Sequence, residues 1–192
     1  MKASRYLLLV ALGVAIVQIG VLSWMIVGRA MVLRNGREVV LEVQPVDPRD
    51  LLRGDYVRIG YNISSLPVEL FGEAIESADP ADYTVFVRLA PDTDGIWQPV
   101  AARYGVPPDA APAPRQVDVR GTAVFRPGAE MKLVPVDYGI ERFYLPEGEG
   151  AAIENAVRER RFRMKVAVAG DGTPQIKAFY DGDALIFSEP LY

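Results

Sequence analysis

The chain of 192 residues contains no cysteine and no histidine. The missing cysteines exclude disulfides and thiol nucleophiles, and the two absences together exclude zinc sites built from Cys and His. The missing histidines also remove the side chain that most often serves enzymes as a general base. Any chemistry of this chain must therefore use carboxylates, hydroxyls, Lys or Arg, and we expect no cofactor.

Acidic residues are absent from the first 27 positions, whereas basic residues are not. Lys2 and Arg5 are two of the 21 basic residues, and all 25 acidic residues follow position 27. The part of the chain after position 27 therefore carries a formal charge of −6. Nucleic-acid partners favour a basic surface, so this balance argues against nucleic acid as a partner.

Residues 6–27 form an uncharged, mostly apolar run that follows a basic tail at residues 1–5. As a helix this run is about 33 Å long, which matches the hydrocarbon core of a bilayer. A cleaved signal peptide is the alternative, but its apolar region usually has only about 7 to 15 residues. The run therefore predicts a single transmembrane anchor, which makes the lipid bilayer the first partner.

Basic residues flank the anchor on both sides. Lys2 and Arg5 precede it, and Arg29, Arg34 and Arg37 follow it. The numbers of basic residues that the positive-inside rule compares are therefore nearly equal on the two sides. A short basic tail before a long apolar run is typical of a signal-anchor, and long domains translocate largely regardless of charge. We expect the N-terminus in the cytoplasm and the domain outside it.

After a connector at residues 28–37, the pattern predicts a mainly β (α+β) domain over residues 38–192. Runs with alternating apolar residues predict antiparallel strands at 38–46, 55–61, 83–89, 96–104, 116–125, 132–136, 137–145, 162–169, 175–180 and 184–187. Turn residues at 92–95 and at 171–172 predict two hairpins. One short amphipathic helix is predicted at residues 150–160, and residues 107–114 predict a proline-rich surface loop. The pattern at residues 66–82 is ambiguous and leaves open a short helix that begins at Pro67.

The densest polar cluster lies at residues 45–56, where two arginines and three aspartates surround Gly54. A weaker echo lies at residues 135–144. Both segments begin with Pro-Val-Asp at the end of a strand and place an Arg and a Tyr near the start of the next. This repetition predicts two related β-turn-β corners that lie side by side.

The two corners supply the candidate binding residues of a polar and aromatic surface for a glycan, a peptide or a membrane partner. These residues are Asp47, Asp50, Arg53, Gly54, Asp55, Tyr56, Tyr61, Asp137, Arg142 and Tyr144. The alternative interpretation is structural. It gives Gly54 a positive φ, makes Asp47 and Asp50 cap turns, and pairs Arg53 and Arg142 with those acids.

An enzymatic interpretation also stays open. Carboxylate pairs such as Asp47 with Asp55, or Asp50 with Glu141, are the residue types that hydrolyse glycosidic bonds. A Ser/Lys dyad would need a lysine near Ser64, and the sequence around it contains none. Binding of magnesium or calcium by carboxylates alone has no specific motif in the sequence, so no metal site is predicted.

Residues 53–61, Arg-Gly-Asp-Tyr-Val-Arg-Ile-Gly-Tyr, resemble the motif that gives the GDYXXLXY family its name. The one departure is Ile59, where the name has Leu. The similarity extends to residues 45–52 and 138–148. The resemblance implies a bacterial envelope protein, often encoded beside multi-span membrane proteins, with no established catalytic residue. A weaker likeness is to signal peptidase I, in which Gly-Asp also precedes an apolar strand behind a membrane anchor, but the serine motif is missing here.

Together these observations predict a non-catalytic accessory module of the bacterial inner (cytoplasmic) membrane, with its domain on the extracytoplasmic side. We expect it to dock an integral membrane protein or an envelope polymer through the corners. The alternatives are a carboxylate-dependent hydrolase acting on an envelope glycan and a degenerate β domain like that of signal peptidase.

Overall fold

A computed structural model describes residues 2–44, 56–75, 84–108, 111–123, 132–144 and 160–190. Within these ranges one α-helix, α1 (Lys2–Asn35), precedes a series of strands and a 3-10 segment (Val68–Ile75) that is kinked at Gly72, where φ is 53°. The strands are β1 (Arg37–Gln44), β2 (Tyr56–Arg58), β3 (Gly60–Tyr61), β4 (Ser65–Pro67), β5 (Thr84–Pro91), β6 (Trp97–Tyr104), β7 (Val117–Ala123), β8 (Leu133–Asp137), β9 (Arg142–Tyr144), β10 (Phe162–Val168), β11 (Pro174–Asp181) and β12 (Ala184–Ser188).

Helix α1 is long and apolar enough to cross a membrane. An 18-residue window within its segment Leu9–Asn35 has a mean hydropathy of 2.3, and the large apolar side chains from Leu9 to Val27 are exposed. At about 1.5 Å per residue the whole helix is about 51 Å long, which exceeds the hydrocarbon core by about 20 Å. The C-terminal end of α1 therefore extends beyond the apolar run of residues 6–27.

The connector predicted at residues 28–37 is mostly helical, because α1 continues without interruption to Asn35. The cause is tertiary: Leu33 is fully buried at the point where the helix packs against β10 and β11. Gly36 ends the helix, and its N–H donates to the carbonyl of Val32 at 2.8 Å. A Cβ at Gly36 would lie 3.1 Å from the carbonyl oxygen of Val168, so the passage from helix to β1 is closely packed.

Two five-stranded sheets form the domain, and all of their strand pairs are antiparallel. The first sheet has the order β12-β11-β10-β1-β3, and the second has the order β4-β8-β7-β5-β6. Strands β2 and β9 pair only with each other among the described strands and form a separate ribbon. This arrangement confirms the β-rich antiparallel fold expected behind an N-terminal helix.

One buried apolar cluster joins the two sheets. Alternate residues of β1, Val39, Leu41 and Val43, point into it from the first sheet. Val85 and Val87 of β5 point into it from the second. The period of two in the sequence thus places one face of each strand in a shared core.

Both predicted hairpins are confirmed. In the turn between β5 and β6, Asp92 Oδ1 accepts hydrogen bonds from the N–H groups of Asp94 and Ile96, and Gly95 takes a φ of 78°. In the turn between β10 and β11, Gly172 takes a φ of 86°. Aspartate side chains that bond the backbone and glycines at positive φ are what such turns require.

Two predicted strands differ from the structure. The strand expected at residues 55–61 divides at Ile59 into β2 and β3, which pair with β9 and with β1 respectively. The strand expected at residues 137–145 shortens to β9, because residues 137–141 form a turn in which Gly139 has a φ of 76°. The short helix that the pattern leaves open at Pro67 is the 3-10 segment at Val68–Ile75, and the helix predicted at residues 150–160 lies almost wholly outside the described residues.

Candidate functional site

The strands that end the two polar segments, β2 and β9, pair with each other. The register sets Tyr56 opposite Tyr144, Val57 opposite Phe143 and Arg58 opposite Arg142. Residues that face each other in an antiparallel pair belong to the same face of the ribbon, and alternate residues share that face. Positions 56, 58, 142 and 144 therefore occupy one face, which we call the corner ribbon face.

The turn of the second corner is built by its own acidic side chains. Asp137 Oδ1 accepts a hydrogen bond from the N–H of Gly139 at 2.8 Å. Glu141 Oε1 accepts one from the N–H of Tyr138 at 2.6 Å. The backbone oxygen of Glu141 accepts a further bond from the N–H of Ile59 at 2.8 Å, which ties this turn to the residue between β2 and β3.

Tyr61 does not belong to a binding surface, so its assignment as a candidate binding residue is wrong. Its side chain is 1% exposed, and its hydroxyl donates a hydrogen bond to the carbonyl oxygen of Ile140 at 2.6 Å. Burial raises the pKa of this hydroxyl well above its usual range. The reason is the break at Ile59, which moves Tyr61 out of the ribbon and into the first sheet, with its ring in the shared core.

The motif at residues 54–61 therefore has two parts with different roles. Ile59 and Tyr61 are both buried and belong to the apolar core. Tyr56 begins the ribbon, and Gly54 and Asp55 lie outside the described residues. The second half of the motif is thus explained by packing.

The remaining candidates are distributed as follows. Asp137 and Arg142 have exposed side chains, and Arg142 lies on the corner ribbon face. Tyr56 and Tyr144 are opposite each other in the ribbon. Five candidates of the first corner lie outside the described residues: Asp47, Asp50, Arg53, Gly54 and Asp55.

The sequence did not single out Tyr138, although it is a close counterpart of Tyr61. It is 5% exposed, and its hydroxyl donates to the carbonyl oxygen of Ile63 at 2.9 Å. Tyr61 and Tyr138 thus each bond the backbone of the other's segment. The alternation of Tyr138 with Ile140, which is also buried, was the available signal.

Glu141 is the described carboxylate with the most perturbed acidity in this region. Burial, followed by the nearby carboxyl of Asp137, raises the pKa of Glu141 to about 7. The hydrogen bond from the Tyr138 N–H opposes this change and lowers the pKa, but by less. Glu141 therefore changes its charge near neutral pH, at a turn that joins both corners.

Within the described ranges, no group of three or more acidic side chains lies close enough to hold a metal ion. Ser64 uses its hydroxyl to accept a hydrogen bond from the N–H of Tyr61 at 3.0 Å, within the turn after β3. This contact gives Ser64 a structural role in that turn.

A comparison with protein families found a match to a family model described as GDYXXLXY protein, over residues 18–179. The matched segment covers most of the chain, including the C-terminal half of α1 and most of the domain. Comparisons with curated proteins and with solved structures found no match.

Proposed function

The chain belongs to the GDYXXLXY family, and on that premise we propose that it is a non-catalytic accessory module that docks an integral membrane protein through its corner ribbon. In this proposal α1 anchors the chain in the bacterial inner membrane, and the domain lies on the extracytoplasmic side. The anchor confines the search for a partner to the plane of the membrane.

The observation that carries the proposal is the pairing of the two corners. The ribbon gathers two tyrosine and two arginine positions onto one face from segments more than 80 residues apart. Tyr and Arg are the residues most enriched among those that dominate binding energy at protein interfaces. A small ribbon outside both main sheets is also less constrained by the core than a central strand.

A second supporting feature is the firm attachment of the domain to the anchor. Leu33 is buried in the domain, the passage through Gly36 leaves no room for a side chain, and Arg29 forms an ion pair with Glu189. The domain therefore follows the orientation of α1 closely. A fixed orientation reduces the entropy lost when the ribbon meets a partner in the same membrane.

The test is site-specific photo-crosslinking of the full chain in native membranes. A photoreactive residue replaces Arg58 in one variant and Arg142 in a second, and the control variant carries it at the exposed Asp94 in the turn between β5 and β6. The proposal predicts one membrane-protein adduct of the same size at positions 58 and 142, and none at position 94.

A charge reversal separates docking from chance collision. Arg142→Glu, combined with the probe at position 58, should lower the adduct yield about tenfold if the contact between Arg142 and the partner contributes about 1.4 kcal/mol. The matched control is Arg115→Glu, which reverses an exposed arginine in the loop before β7. Equal adducts at positions 58 and 94 would contradict docking, and glycan adducts would favour an envelope polymer as the ligand.

A hydrolase is the second candidate, and the acidity of Glu141 is the observation that favours it. A carboxyl with a pKa of about 7 can act as a general acid on a glycosidic bond at neutral pH. The full chain would then release soluble fragments from isolated envelope glycan, and Glu141→Gln would abolish that release. Release that is unchanged in Glu141→Gln would remove Glu141 from consideration.

A further inference from the structure

A large groove lies beside the end of α1, remote in the fold from the corner ribbon. Its volume is about 1190 Å³, and its walls are the end of α1, the proline-rich loop and the turn between β10 and β11. Met31 and Val32 of the helix, with Phe86 and Val117 of the sheet, make much of the lining apolar. We call this space the juxtamembrane groove.

This inference rests on the proposed membrane anchor, which puts the near end of the groove at the outer edge of the lipid headgroups. The uncharged run of α1 ends at Val27, and Met31 comes four residues later, which is about 6 Å along the helix axis. The polar region of one leaflet is itself about 5 to 7 Å thick. The helical wall of the groove therefore begins where the bilayer ends.

The helix face that forms this wall continues into the membrane. Trp24, Gly28 and Val32 follow each other at intervals of four residues and share one face of α1. Trp24 is 82% exposed, as expected of a tryptophan at the membrane interface. Gly28 has no side chain, and a Cβ there would meet nothing within 4 Å, so this face is open between the bilayer and the groove.

Most charges around the groove are already balanced within the protein. Arg88 forms a bidentate pair with Asp118, with both N–O distances at 2.8 Å, and also donates to the carbonyl of Pro108, which holds the loop wall in place. Asp171 accepts two hydrogen bonds from Thr173. Arg37 is exposed, and it forms no ion pair with any residue in the described ranges.

We propose that the juxtamembrane groove binds a phospholipid of the surrounding bilayer, with an acyl chain against the apolar lining and the phosphate at Arg37. The volume exceeds the roughly 300 to 1,000 Å³ of most small-ligand pockets and suits a long flexible chain. An acyl chain leaves the bilayer at little cost when it enters an apolar lining, and an arginine at the interface attracts a lipid phosphate.

The test uses the full chain in vesicles of phosphatidylethanolamine and phosphatidylglycerol that contain a phospholipid with a photoreactive group at the end of one acyl chain. After irradiation, labelled peptides are mapped by mass spectrometry. The proposal predicts labels on domain residues such as Phe86 and Val117, in addition to labels within α1. Labels within α1 serve as an internal measure of insertion.

Blocking variants show whether the label reports on the groove. Gly170 lines the groove at a negative φ, and an added Cβ would meet nothing within 4 Å, so Gly170→Trp fills the space without backbone strain. It should lower domain labelling about tenfold and leave labelling of α1 unchanged. The matched control is Val100→Trp, at an exposed position on β6.

Two further variants keep the test decisive. Ala111→Trp narrows the groove from the loop wall if Gly170→Trp fails to fold. Arg37→Gln should lower domain labelling when the photoreactive phospholipid is a phosphatidylglycerol, because it removes the charge at the proposed phosphate position. The protein should stay folded. Labelling confined to α1, or domain labelling that neither tryptophan reduces, would overturn the proposal.

Discussion

Replacing Glu141 with glutamine should change the pH dependence of stability in a predictable direction. Glu141 has a pKa of about 7 in the folded protein, against an ordinary value of 4.5. A carboxyl with a raised pKa favours folding fully below pH 4.5, and this contribution is lost as the pH rises towards 7. Glutamine retains an oxygen for the Tyr138 N–H and carries no charge at any pH, so it removes this loss.

The size of the effect follows from the same values. One pKa unit corresponds to about 1.36 kcal/mol, which gives an upper bound of about 3 kcal/mol for Glu141. The side chain keeps partial contact with solvent, and screening reduces the expected effect to about 1 to 2 kcal/mol. At pH 8 the variant should therefore be more stable than the wild type by that amount, which for a chain of this size raises Tm by about 2 to 8 °C.

The assay is unfolding of the full chain in detergent micelles at several pH values between 4.5 and 8. The two proteins should agree at pH 4.5 and diverge as the pH rises. Glu69→Gln, at an exposed position of the 3-10 helix, is the control and should follow the wild type throughout. Asp137→Asn keeps the acceptor for the Gly139 N–H and should move the midpoint of the divergence to lower pH. Parallel curves for Glu141→Gln and the wild type would refute the reasoning.

Three further substitutions test the fold. Tyr61→Phe removes the hydroxyl that bonds Ile140 and leaves a buried carbonyl without that donor, so the free energy of unfolding should fall by about 1 to 3 kcal/mol in a denaturant titration. Arg88→Met leaves Asp118 charged and largely buried and should cost about 3 to 5 kcal/mol, and a double-mutant cycle with Asp118→Leu should recover most of it. Gly36→Ala crowds the end of α1 and should cost about 1 to 3 kcal/mol, measured by thermal unfolding, while Gly28→Ala should cost almost nothing.

The parts of the fold that the sequence predicts are those set by local signals. The turns at Asp92 and at Gly172 depend on side-chain bonds and positive φ within a few residues, so composition alone locates both hairpins. The apolar run of α1 is equally local. The repeated residue order predicts that the two corners lie together, and the strands that end them, β2 and β9, pair with each other.

The errors come from contacts between distant parts of the chain. Tyr61 looks like a member of a surface motif, but β3 pairs with β1 and turns the ring into the core, where Ile140, 79 residues later, accepts the hydroxyl hydrogen bond. The helix continues past the predicted anchor because Leu33 is buried against strands near the C-terminus. No pattern within either segment encodes these partners, so the sequence of a single chain could not reveal them.

The division of the family motif between core and ribbon affects how mutants of this protein should be interpreted. The backbone N–H of Ile59 and the hydroxyl of Tyr61 hold the second corner through the backbone oxygens of Glu141 and Ile140. In the proposed docking, Tyr61→Phe would therefore weaken partner binding through the fold and without a lost contact to the partner. Conversely, the change from Leu in the family name to Ile59 preserves an apolar core side chain of the same size. Loss of binding therefore identifies a contact only at ribbon positions such as Arg142, where the variant keeps the stability of the wild type.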